Sequence, residues 1–75
     1  MPRGKPDRII PVAPVDRLIR RAGAKRVSHY AGARLAEILE QIALDYSRQA
    51  IALASHAGRT TVTANDFDAV LLLQG

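Results

Sequence analysis

The sequence predicts an all-α chain of three helices, short, long and short, completed by an intertwined second copy of itself. Three observations carry this. Apolar residues recur at helical spacing in three separate stretches, no proline interrupts residues 29–57, and the helix those residues would form is too long for its own globule. At 1.5 Å per residue it spans roughly 43 Å, whereas a compact chain of this length is only about 29 Å across. The 75 residues make one small domain, at a size where a single core rarely supplies more than about 3–5 kcal/mol without disulfides, metal or a partner. Cysteine is absent, which removes disulfides, zinc-thiolate sites and thiol catalysis and leaves association as the source of the missing stability.

Residues 1–12 carry Pro2, Gly4, Pro6 and Pro11 with Arg3, Lys5 and Arg8, and read as a basic, irregular tail ahead of a folded domain over residues 13–75. The first helix is expected to open at Pro14, because proline suits the first helical position. Val15, Leu18, Ile19 and Ala22 then form one stripe, with Asp16 in the first turn and Arg20 and Arg21 in the last. Gly23 ends it in a left-handed conformation. Ser28 is the expected N-cap of the long helix, which runs from His29 to Ala57. Leu35, Ile38, Leu39, Ile42, Tyr46 and Leu53 keep its period, while Leu44 and Ile51 fall nearly opposite, so the helix is apolar on two sides. Gly58 closes it, and Arg59 to Val62 form a short link. Thr63-Ala64-Asn65-Asp66 has the form of a capping box, with Asp in place of Glu, opening a third helix whose face is Phe67, Val70 and Leu71. Leu72 and Leu73 continue past that face without an assigned neighbour.

Apolar residues make up 48% of the chain, too many for a disordered polymer, and no apolar run approaches the ~20 residues of a membrane span. The opening MPRGKPD leads into the proline-broken IIPVAPV rather than into a secretory segment, so the expected location is the cytoplasm. Charge is unevenly placed. Residues 1–26 hold eight basic groups against Asp7 and Asp16, a net +6, and the remaining three basic against five acidic groups give −2. A basic end on a mildly acidic helical body points to a polyanion, either nucleic acid or an anionic membrane surface. Arginine dominates, and its planar fork suits phosphates and narrow grooves.

The segments APVDRLIRRAGAKRVS and SHAGRTTVTANDF, at their separation along the chain, resemble the archaeal histones from Pro11 to about Val70, about four fifths of the sequence. The resemblance implies the histone fold, a head-to-tail handshake dimer in which the long helices cross and loop 1 of one protomer lies beside loop 2 of the other, and duplex DNA wrapped outside with no base-specific code. It places Arg17 in the minor groove, Arg20 on the same helix face, and Arg26 and Ser28 on phosphates around loop 1, with Lys25 beside them. Arg59, Thr60, Thr61 and Thr63 match the second loop, which the resemblance also places against DNA, with Arg59 on phosphate. There the sequence departs from the family, which usually has lysine at the positions of Thr60 and Thr63. Hydroxyls position phosphates without neutralising them, so affinity should rest on helix 1 and loop 1. Arg59 and Asp66 match an internal ion pair, Gly23 a stacking position in extended assemblies, and Leu53, His56 and Asp66 the surface where dimers join into tetramers or longer assemblies on DNA.

Little in the sequence supports an enzyme. His29 and His56 sit at opposite ends of the long helix, too far apart to share a metal, and Glu37 and Glu40 read as a solvated face. No cofactor, metal or small-molecule substrate is implied. The competing readings are a histone-fold subunit of a transcription factor or assembly platform, acting by heterodimerisation, and a membrane-surface helix over residues 17–26. The second is disfavoured because its stripe is short and lacks Trp or Phe.

Overall fold

The computed structural model describes residues 8–74, so the first seven residues of the basic tail lie outside the described part. Its helices are α1 (Val12–Arg21), α2 (Ala31–His56) and α3 (Ala64–Gln74), with no strand among the described residues. Among the described residues no helix is long and apolar enough to cross a membrane. The chain forms two compact units that divide within α2, between Gln41 and Ile42.

In the first unit α1 begins two residues before Pro14. Pro11, extended at φ −71° and ψ 153°, is its cap, and Pro14 falls within the first turn, where a missing N–H breaks no helical bond. Asp16 consequently lies beyond the first turn, which holds no acidic residue. Its carboxylate lies instead against Gly32 near the start of α2, where any side chain would collide with Asp16 and Val12. Glycine permits that close approach. α2 starts at Ala31 rather than His29, because the Ser28 carbonyl accepts from Ala31 N–H in a preceding turn and the first helical bond runs from Arg34 N–H to the Tyr30 carbonyl. Ser28 is therefore not the N-cap. The His29 and Tyr30 rings meet edge to face within that turn, with centroids 4.7 Å apart.

Glu37 and Glu40 are not a solvated face. The Glu40 carboxylate accepts from the backbone N–H groups of both Ile9 (2.9 Å) and Ile10 (2.7 Å). Arg8 reaches the Ala33 carbonyl at 3.3 Å and Glu37 at 3.9 Å, and Glu37 also accepts from Arg34 at 3.2 Å. These contacts tie the entry to α1 onto the first half of α2.

In the second unit α2 ends at His56 and α3 opens on Thr63. Asp66 reaches back to the Thr63 N–H at 2.8 Å, the reciprocal half of a capping box, while the Thr63 hydroxyl lies 3.2 Å from the same carboxylate oxygen. Gln74 at the end of α3 donates to Gln49 of α2 at 3.1 Å.

Little apolar volume is enclosed in either unit. Val15 and Ala36 are buried in the first, and Ala50, Ala54 and Val70 in the second. Larger side chains stay open: Leu18 and Ile38 in the first unit, Ile42, Leu44, Ile51, Phe67 and Leu71 in the second. Each Leu or Ile taken fully from water would contribute about 1.5–3 kcal/mol, stabilisation that the single chain leaves unused at these positions.

Candidate nucleic-acid interface

The first unit presents its cations around the end of α1. Arg17, Arg20, Arg21, Lys25 and Arg26 are all exposed, and none forms an ion pair with another described residue. Their scaffold is a Schellman closure: Gly23 N–H donates to the Arg20 carbonyl at 3.0 Å and Ala24 N–H to that of Ile19 at 3.3 Å. Gly23 has φ +122°, a conformation that side chains rarely adopt, and the space beside it is open. Ser28 is exposed two residues after Arg26, just ahead of α2.

The second unit builds its corner the same way and then neutralises it. Gly58, at φ +75°, donates to the Ser55 carbonyl at 2.9 Å, and Arg59 N–H donates to that of Ala54 at 2.8 Å. The Arg59 guanidinium turns inward. It binds Asp66 through two bonds of 3.0 and 2.8 Å and the Thr61 carbonyl at 2.9 Å. Asp66 is only 5% exposed, and both its oxygens are engaged. The guanidinium hydrogen bonds, supported by the Thr63 N–H, hold its carboxyl well below the ordinary range against the opposing effect of burial, and Asp66 in turn raises the pKa of Arg59. Thr60, Thr61 and Thr63 are exposed, and Thr63 is shared with Asp66. His56 is exposed at the last turn of α2, and Leu53 is half-buried.

The structure therefore brings Arg59, Thr61, Thr63 and Asp66 together in one unit, and Arg17, Arg20, Lys25, Arg26 and Ser28 along one stretch of the other. Sequence reasoning missed Arg8, Glu37 and Glu40 as a tie. The available signal was that Glu37 and Glu40 are the only acidic residues in the first half of α2, one turn apart. No group of three or more His, Asp or Glu able to hold a metal occurs among the described residues.

Comparison with known proteins fixes the family. The family described as histone-like transcription factor (CBF/NF-Y) and archaeal histone matches residues 8–71. The chain belongs to that family. Its three helices are the histone fold, with loop 1 between α1 and α2 and loop 2 between α2 and α3. Among its relatives, one of the subunits of archaeal histone HAN1 from Thermococcus zilligii is 54% identical over 57 residues, 76% of this chain and 85% of the relative. Probable archaeal histone 3 of Methanocaldococcus jannaschii is 50% identical over 62 residues, 83% of this chain and 92% of that one. The family match begins at Arg8, the residue at which the tie to α2 begins.

Proposed function

We propose that this protein binds duplex DNA without reading its sequence, as a handshake homodimer that wraps and compacts the chromosome and joins into tetramers or longer assemblies on it. The observation that carries this reading is the exposed set of cations Arg17, Arg20, Lys25 and Arg26, none paired with another described residue, in a chain whose relatives bear the name archaeal histone. In the dimer, loop 1 of one protomer lies beside the partner's loop 2. Cations from the first meet phosphates while Ser28, Thr60, Thr61 and Thr63 supply hydroxyl contacts that set register. Arg17 enters the minor groove. Arg59 acts through structure, holding loop 2 against α3. The protein is a binding protein rather than an enzyme, requires no cofactor, and resides on the chromosome in the cytoplasm.

The small enclosed core and the open Ile42, Phe67 and Leu71 support the dimer. Native mass measurement with and without duplex DNA, combined with a salt titration, tests the proposal. Dimers should bind unrelated duplexes alike, and log affinity should fall against log salt with a slope of up to about −7 if Arg17, Arg20, Lys25 and Arg26 of both protomers each neutralise a phosphate. A monomer at micromolar concentration, or a strong preference for one short motif, would refute it. A second reading, a histone-fold protein that works by heterodimerisation, is favoured by the neutralised loop 2 corner. It predicts that the isolated protein leaves DNA unwrapped until a different histone-fold chain is added.

A further inference from the structure

The most exposed large apolar side chains among the described residues are Ile9 at 82%, Leu72 at 81% and Leu73 at 69%. Isolated exposed leucines are ordinary on a protein surface, but these three occupy fixed backbone. Ile9 and its neighbour Ile10 are both held by the Glu40 carboxylate, and the end of α3 is held where Gln74 bonds Gln49 and the Val70 carbonyl. Leu71, Leu72 and Leu73 follow one another at 100° steps, so the last turn of α3 is apolar on three sides, and residues 69–74 carry no charge. So wide an apolar arc exceeds the single stripe with which a helix packs on its own chain. The face of Phe67 and Leu71 accounts for one side only.

We propose, on the basis of the handshake dimer above, that Ile9 of one protomer seats against the partner subunit's Leu72 and Leu73, forming two symmetry-related apolar latches near the crossing of the long helices. Helix lengths set the register. α1 leads from its tie at Glu40 to loop 1 over ten residues, about 15 Å, and α3 leads from loop 2 to its tie at Gln49 over eleven residues, about 16 Å. Both ties lie near the middle of α2, where the two long helices cross in a handshake. Loop 1 and the partner's loop 2 share one corner, so two helices of nearly equal length leaving that corner arrive together at the crossing. Ile9 then meets the last turn of α3 from the other copy. Arg8 adds no competing charge there, because Glu37 holds it.

The absence of cysteine gives a direct test. Ile9→Cys combined with Leu72→Cys, and in parallel Ile9→Cys with Leu73→Cys, is oxidised mildly and run on a denaturing, non-reducing gel beside a native mass measurement. A covalent dimer in at least one pair, reversed by reductant and absent from each single variant, supports the latch. A native dimer with no covalent product overturns the latch and leaves the dimer standing. A covalently closed monomer places the contact within one chain, and cross-linking by Leu72→Cys or Leu73→Cys alone means that α3 ends meet each other. Either result overturns the proposal. A monomeric native mass refutes the handshake itself, and the latch with it.

Discussion

The two helix-terminal corners of this chain close on the same backbone bonds and differ in what their side chains do. At both, a glycine of positive φ and the residue after it satisfy the last carbonyls of a helix. After α1 the neighbouring cations form no ion pair with another described residue, whereas after α2 the single arginine is committed to Asp66 and Thr61. The shared backbone device thus fixes the chain's direction without fixing its electrostatics. One corner offers charge to a polyanion. The other commits its charge to rigidity and keeps hydroxyls outside.

The largest effect should come from breaking the second corner. Asp66→Asn keeps the shape but removes the ionised acceptor of Arg59 and the Thr63 N–H, so it should lower the melting temperature more than any loop 1 substitution. Its pH signature has a definite sign. The folded-state pKa of Asp66 is depressed, so its contribution is fully present above the unfolded-state value near 4 and is lost as pH falls from there through the lower folded value. Acid unfolding of wild type and Asp66→Asn should therefore converge progressively below about pH 4. Curves that stay parallel to pH 2 would show that the pair does not stabilise the fold.

Breaking the first corner should leave the fold intact and weaken DNA binding. Arg17→Ala should cost roughly tenfold or more in affinity for every duplex, the scale of one charged hydrogen bond, and should flatten the salt slope by about 0.9 for each phosphate no longer neutralised. Unchanged binding would move the interface away from α1. The comparison is sharpened by converting one corner toward the other. Thr60 is exposed and makes no side-chain bond to another described residue, so Thr60→Lys should tighten binding several-fold at low salt and steepen the slope by about 0.9, with little change in melting temperature. No gain would mean that loop 2 faces away from DNA.

The helices were legible because each has a strong period and a glycine or capping stop, and the errors lie at their starts. Pro14 suggested an opening that Pro11 provides, because a first-turn proline fits more than one of the first helical positions. Ser28 looked like a cap, but its carbonyl is used in a turn before α2. Arg59 and Asp66 were legible through family resemblance, since seven residues separate them and no local rule pairs them. The Glu37 and Glu40 tie was hidden because it joins α2 to residues 30 positions earlier, a contact that no window of helical periodicity contains. Exposure of Leu44 and Ile51 on α2 was readable as a second apolar side, although which surface covers it depends on a second chain.

The smallest effect on the dimer, and the most informative about assembly, should come from His56→Ala. His56 ends α2 in the second corner, where a polar side chain in the last turn sits beside the helix's free carbonyls. That account predicts a small change in stability and no change in how dimers share DNA. The resemblance to archaeal histones instead puts His56 and Leu53 at the surface where two dimers join, facing Asp66 of the neighbour. In this chain Asp66 is buried with both oxygens engaged, so an incoming imidazole must share an acceptor that already serves Arg59. The joint should accordingly be weak and depend on DNA to hold the dimers side by side. Nuclease digestion of saturated DNA separates the accounts: His56→Ala should abolish the longer protected fragments and leave only those that one dimer covers. Identical ladders from wild type and variant would assign His56 to the helix end alone and place the contact between dimers elsewhere.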